Sequence, residues 1–238
     1  MTTEQQQTDK ILHYTTLREI PYATGLTLQE QLFNEALLRK RELEPARHAL
    51  ISLTHTPVIT MGKHADPHNI LFSKDVLTER GVELHHTSRG GDVTYHGPGQ
   101  LTVYPIIDLE DLGIGVKKYV WSLEEAVMKL LAEYGFRNTT RIEGASGVWV
   151  PGERSYDKVC AVGIYCSKYI TMHGLALNVD LDTSIYNLIN PCGFTDKGVT
   201  TMERLVSSSL PPMEDIERRL IELLAQEWGI SRIELATF

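Results

Sequence analysis

The chain has 238 residues, a net charge of -8 at pH 7, and 42% hydrophobic and 23% charged residues, a composition that supports a folded core and excludes a disordered chain. The acidic balance, with no Lys/Arg run long enough to track a phosphate backbone, sets nucleic acid aside as the main partner. No apolar run reaches the ~20 residues that cross a bilayer, and the three cysteines follow no secretory segment, so a cytoplasmic protein with no membrane role and reduced thiols is expected.

Met1–Lys10 carries no apolar period and reads as a flexible leader, with one domain expected over 11–238. Thr27 is placed to cap a helix whose apolar residues Leu28, Leu32, Phe33, Ala36, Leu37 and Leu43 keep helical spacing until Pro45. Ala49–Leu53 and Val58–Met61 read as strands, Ser73–Arg80 as a short helix closed by Gly81, and Val82–His86 as a strand entering a glycine-rich loop. Leu101–Ile107 is strand again, and Val116–Tyr134 is an amphipathic helix ending at Gly135. Gly147–Val150, Lys158–Tyr165 and Tyr169–Val179 read as successive strands, the first two joined by a turn at Pro151–Arg154. A last helix, Met213–Trp228, follows Pro211 and Pro212. Helices set among hairpin-joined strands predict an α+β fold, a mixed β-sheet with flanking helices, over a doubly wound parallel sheet.

The loop Arg89-Gly90-Gly91-Asp92-Val93-Thr94-Tyr95-His96-Gly97-Pro98-Gly99-Gln100 holds four glycines in twelve residues. Glycines let backbone N–H groups come close to a ligand. A lone Gly-x-Gly is ordinarily a structural turn, but the arginine and histidine beside these glycines point to a binding wall. Gly97-Pro98-Gly99 precedes a strand and lacks the third glycine of the dinucleotide fingerprint, and neither a Walker A loop nor a Gly-x-Ser-x-Gly elbow occurs. Nine histidines do not by themselves make a metal site: His64 and His68 are spaced i, i+4, but Pro67 separates them and the glutamate of a zincin is missing.

The Arg89–Gln100 string resembles the signature of the lipoyl(octanoyl) transferase family. Two more segments are similar to blocks of that family and stand in its order: Lys158-Val159-Cys160-Ala161-Val162-Gly163, and His173-Gly174-Leu175-Ala176-Leu177-Asn178-Val179-Asp180 followed by Asn190-Pro191-Cys192-Gly193. The resemblance runs over nearly the whole chain from about Ile11. It implies the catalytic domain of an octanoyl-[acyl-carrier-protein]:protein N-octanoyltransferase, with the fold of the biotin/lipoate protein ligase catalytic domain. It further implies that Cys192 carries the acyl group as a thioester and that Lys158 tunes it. Arg89, Gly90, Gly91, Asp92, Val93, Thr94, Tyr95 and His96 are implied to surround the substrate, with Ala161, Val162, Gly163, Gly174, Leu175 and Ala176. His96 and His173 stand between two roles, positioning the acyl carbonyl or a water, and structural hydrogen bonding.

The residue types suit the chemistry. A thiol of pKa near 8.5 is mostly protonated at pH 7, while the thiolate is the nucleophile. A neighbouring ammonium that lowered that pKa by ~2 units would stabilise the thiolate by about 2.7 kcal/mol. Cys192 lies between Pro191 and Gly193, outside any predicted element, whereas Cys160 and Cys166 alternate with apolar residues of a strand and read as core packing. Backbone N–H groups near Gly90-Gly91 and Gly174-Leu175 are candidate oxyanion donors.

Thioester-to-amide transfer is downhill, so no cofactor, ATP or metal is expected. The implied partners are octanoyl-acyl carrier protein as donor, and lipoyl domains of 2-oxo acid dehydrogenase complexes and the glycine cleavage H protein as acceptors. Lys117, Lys118, Arg137 and Arg141 are candidate docking residues for the acidic carrier. Two alternatives stay open: an ATP-dependent lipoate or biotin protein ligase of the same fold, and an inert acyl-binding or regulatory module.

Overall fold

A computed structural model describes residues 10–153, 155–190, 197–207 and 209–238. Among them, nine strands form a mixed sheet in the order β12-β1-β2-β6-β10-β9-β8-β7, with β11 paired to β9 off this path. The strands are β1 (Ile11–Ile20), β2 (His48–His55), β6 (Gln100–Ile106), β7 (Thr140–Ile142), β8 (Ala145–Pro151), β9 (Tyr156–Ser167), β10 (Ile170–Asn178), β11 (Gly198–Val199) and β12 (Arg232–Leu235). A second sheet, β4-β3-β5, uses β3 (Val58–Met61), β4 (Glu83–His86) and β5 (Val93–His96). The helices are α1 (Tyr22–Arg41), α2 (Lys74–Glu79), α3 (Val116–Glu133), α4 (Met202–Leu205) and α5 (Met213–Glu227). The expected mixed sheet with flanking helices is what the chain forms. None of the described helices is long and apolar enough to cross a membrane.

Strand alternation sorts the side chains into two layers. Leu50, Leu101, Val103, Leu175 and Leu177 face a core built with Leu123, Val127, Leu130 and Leu131 of α3 and Ile216, Leu220 and Leu224 of α5. Ala49, Ile51, Leu53, Tyr104 and Ile106 face the opposite way, onto Leu32 and Phe33 of α1. Across the first layer, the buried Trp228 indole N–H donates to Ser122 Oγ at 2.8 Å, tying the end of α5 to α3.

Two local expectations change. Helix α1 begins at Tyr22, directly after Pro21, and Thr27 lies within it with its hydroxyl turned back to Ala23 O at 3.0 Å, so Thr27 does not cap it. Pro21 fixes φ at -55° and starts the helix without a side-chain cap. The β9–β10 hairpin turns through Lys168 and Tyr169 at φ 49° and 64°, which places Tyr169 in the turn, one residue before its strand. Strands β1 and β12, parallel neighbours at one edge of the sheet, are additions to the sequence reading. The leader at 1–9 and Arg154 of the predicted turn lie outside the described residues.

Candidate active site

Four glycines set how closely the glycine loop approaches the sheet. Gly90 N–H donates to Ile164 O of β9 at 2.8 Å, and His64 N–H donates to Gly91 O at 3.2 Å. A Cβ on Gly163 would stand 2.9 Å from Gly90 O, and one on Gly62 would stand 2.3 Å from Gly91 O. The loop therefore lies flat between β3 and β9 only because neither neighbour has a side chain. Beneath it the buried Arg89 guanidinium donates to Thr60 through Nε at 3.2 Å and Nη2 at 2.9 Å, and to Thr60 O at 2.7 Å. Asp92 holds the other side, accepting from Asp66 N–H at 3.1 Å and from Asn69 Nδ2 at 2.5 Å.

This loop walls a cavity of about 460 Å³, within the range of small-molecule sites. Arg89, Gly90, Gly91, Asp92, Thr94 and His96 line it from the loop and β5. Ala161, Val162, Gly163, His173, Gly174, Leu175 and Ala176 line it from β9 and β10, and Lys158 reaches it from the start of β9. Thirteen of the sequence-expected positions thus converge with Lys158 on one space. Val93 and Tyr95 do not: they point away, into a separate cluster with Ile59, Leu77, Leu181 and Leu188, and hold β5 in place. Cys192 lies outside the described residues. Its described flanks are anchored at Asn190, whose N–H donates to Asn69 O at 2.8 Å, and at Gly198 and Val199, which pair with Asp157 and Lys158.

A register shift decides where Lys158 points. Val148 pairs with Cys160, but Trp149 pairs with Lys158, so Val159 is an extra residue in β9. Both Val159 and Cys160 pack in the core. Strict alternation would put Lys158 on the core face with Cys160; the bulge instead puts it on the cavity face with Ala161 and Gly163. There its Nζ donates to Ser146 O at 3.3 Å and lies 4.4 Å from the Trp149 ring centroid, a cation–π contact that suits a desolvated ammonium.

The floor of the cavity is aromatic, polar and uncharged apart from Arg89. His55 Nε2 and Tyr104 OH are 2.8 Å apart, and the Tyr22 ring lies tilted 5.3 Å from His55 and stacked 6.3 Å from His96. Burial pushes the His55 imidazole down to about 4 and His173 down to about 3, the latter helped by the Arg89 charge. Burial, followed by His55 and Arg89, holds His96 well below its usual value. These rings are neutral at pH 7.

His173 has φ 60° within β10, a costly conformation for a residue with a side chain. Its N–H turns to Gln29 Oε1 at 2.9 Å, and its ring reaches Thr87 and Ser88 hydroxyls at 3.2 and 3.1 Å. Sequence reading missed Gln29, Thr60 and Tyr104, which come from outside the motifs. One expectation is corrected: the Gly90 N–H is already paired with Ile164 O and cannot serve an oxyanion. Arg141, a candidate docking residue, is engaged by Glu124 and Glu125 at 3.0 and 2.6 Å, and Lys118 lies 3.6 Å over Trp121.

Residues 21–225 match the family model described as the lipoyl protein ligase A/B catalytic domain. An octanoyltransferase of Bacteroides fragilis is 44% identical over 207 residues, covering 87% of this chain and 93% of its own. The octanoyltransferase LIP2, mitochondrial, of Arabidopsis thaliana is 40% identical over 213 residues, 90% of this chain and 87% of that one. A Porphyromonas gingivalis octanoyltransferase is 46% identical over 196 residues, 81% of this chain but 39% of its own length. Among solved structures, the bipartite lipoate protein ligase of Thermoplasma acidophilum superposes with a TM-score of 0.69 at 16% identity, over 95% of this chain and 88% of that one. A lipoate-protein ligase A bound with ATP gives 0.68 at 16% identity, over 96% and 90%. The structural likeness is one of fold, while the sequence likeness distinguishes the branch: the chain belongs to the lipoyl protein ligase A/B catalytic domain family and is an acyltransferase of its octanoyltransferase kind.

Proposed function

We propose that the cavity takes an octanoyl group from acyl carrier protein, holds it as a thioester on Cys192 and passes it to a lysine of a lipoyl domain. The observation that carries this reading is the bulge that turns Lys158 out of the core and onto the cavity face. A buried ammonium in that position has a chemical use: to stabilise a thiolate and to shuttle a proton. Cys192 lies six residues before Gly198, the start of the strand that pairs beside Lys158, so the chain supplies the two groups from neighbouring stretches.

The steps balance without ATP. The Cys192 thiolate attacks the octanoyl thioester carbonyl, and the carrier thiolate departs, taking a proton from the Lys158 ammonium. The acceptor lysine amine then attacks the enzyme thioester, Lys158 recovers a proton from it, and the Cys192 thiolate is released as the amide forms. Gly91, at φ 89° on the cavity wall, is the glycine of the loop left to offer a backbone N–H to the tetrahedral oxyanion. The donor is octanoyl-acyl carrier protein; the acceptors are lipoyl domains of 2-oxo acid dehydrogenase complexes and the glycine cleavage H protein. Free thiols at Cys160 and Cys166 support a reducing compartment, the cytoplasm.

Intact-mass measurement after mixing the chain with octanoyl carrier protein, without acceptor or ATP, tests this reading. One added octanoyl group, removed by hydroxylamine and absent in Cys192→Ala, is expected. Transfer that requires ATP and survives Cys192→Ser would instead make this an ATP-dependent ligase.

A further inference from the structure

Beneath the cavity, five buried side chains form a hydrogen-bonded chain whose direction is fixed at one end by a backbone carbonyl. Asn178 Nδ2 donates to Thr200 O at 3.1 Å, so Asn178 presents its oxygen to Gln100. Gln100 Nε2 donates to that oxygen at 2.9 Å and also lies 3.2 Å from Tyr95 O, a second acceptor, which confirms the amide's orientation. Gln100 Oε1 therefore faces His96 Nδ1 at 2.7 Å and can only accept, so Nδ1 carries the proton. The neutral ring is left with a bare Nε2, and Thr60 Oγ1 lies 3.4 Å from it. Arg89 Nε and Nη2 already occupy both lone pairs of that hydroxyl, so its single proton goes to His96.

We infer that Gln100 and Asn178 are positioning residues that lock His96 as an Nδ1-protonated acceptor. His96 thus presents a lone pair and cannot donate to an acyl oxyanion; its role is to hold Thr60 and, through Thr60, Arg89 and the glycine loop. The far end of the chain touches the catalytic side of the sheet, because Thr200 N–H donates to Lys158 O at 3.0 Å. One line of polar groups therefore sets the loop and the lysine-bearing strand in a common frame. Gln100 is 1% and Asn178 3% exposed, so bulk water does not compete for either link.

Long-range proton–nitrogen spectra of the labelled full chain read the tautomer directly, with His96→Asn used to assign its ring. A protonated Nδ1 and bare Nε2, unchanged from pH 8 to pH 6, are expected in the wild type. Gln100→Leu combined with Thr60→Val, which removes both the acceptor at Nδ1 and the hydroxyl that donates to Nε2, should release the ring to the Nε2-protonated form. An Nε2-protonated ring in the wild type, or an Nδ1-protonated ring that persists in the double variant, would overturn the inference, and neither depends on whether Cys192 is acylated.

The kinetic arm rests on the octanoyl-transfer reading. Gln100→Glu keeps an acceptor for Nδ1 but adds a carboxylate that favours the imidazolium, so log kcat should gain an acid limb on top of the one that the thiolate and the acceptor amine give the wild type. We expect the ratio of variant to wild-type kcat to be about tenfold lower at pH 6 than at pH 8, with KM for the carrier nearly constant. A Gln100→Glu profile that parallels the wild type would reject the coupling. Loss of all activity in the wild type would reject the transfer reading and leave the tautomer measurement standing.

Discussion

At the scale of single residues, the site is organised as much by missing side chains as by present ones. Gly163 faces the cavity beside Gly90, and a Cβ there would sit 2.9 Å from Gly90 O and 3.4 Å from Arg89 Cδ. Neither obstacle is a flexible side-chain end, so Gly163→Ala should push the glycine loop off β9. The Gly90–Ile164 hydrogen bond would lengthen and Arg89 would shift on Thr60. Overpacking of this kind costs about 1–3 kcal/mol. We predict a kcat/KM for the acyl donor at least about tenfold lower, about 1.4 kcal/mol, in steady-state assays. Gly115→Ala, where an added Cβ meets no heavy atom within 4 Å, should leave it unchanged. Equal activity in the two variants would mean the loop does not need its close approach to β9.

At the scale of elements, helices α3 and α5 depend on one polar contact inside an apolar layer. Ser122 Oγ donates to Tyr119 O at 2.7 Å and accepts the Trp228 indole N–H at 2.8 Å. Ser122→Ala leaves that N–H buried without a partner, a loss of about 1–3 kcal/mol. Urea unfolding should show a lower midpoint with an unchanged slope and an unaltered KM; a midpoint equal to that of the wild type would mean the indole finds another acceptor. These two helices were legible in the sequence because their apolar residues repeat with helical period over a long window. Other elements were not. Strand β1 carries Thr15, Thr16, Arg18 and Glu19 among its apolar residues, and much of it is only half-buried, so no alternation marks it. Strand β12 is four residues long and gains its place only by pairing with β1. The glycine loop, Lys158 and the lining segments of β9 and β10 were found because short motifs carry them. The bulge at Val159 was invisible, since a one-residue slip between strands leaves no trace in local composition. Gln29, Thr60 and Tyr104 were missed for a related reason: each is an ordinary residue of a helix or strand, made functional by what folds against it.

At the scale of the whole molecule, burying neutral histidines makes stability depend on pH with a definite sign. His55 is held at about 4 and His173 at about 3, and His96 well below its usual value, all chiefly by burial. In the unfolded chain each returns to about 6.5. Below that pH the unfolded state binds more protons than the folded one, so stability rises with pH and falls as pH drops. The contribution is fully present above pH ~6.5 and is lost progressively towards the folded values. Three such rings give about 5 kcal/mol of lost stability between pH 7 and pH 5, an upper figure for independent groups. Set against a total of about 5–15 kcal/mol, that loss brings the fold close to acid unfolding while most carboxylates are still ionised. Equilibrium urea titrations at pH 7, 6 and 5 should show a steepening fall, and His55→Gln should flatten it by about one proton per molecule. A stability that is level from pH 7 to pH 5 would mean that the rings are charged in the folded state. The neutral imidazole floor beneath the glycine loop would then be wrong. The same burial that keeps these rings uncharged leaves Arg89 and Lys158 as the positive side chains on the cavity wall, so the molecule holds a site suited to a developing anion at the expense of acid tolerance.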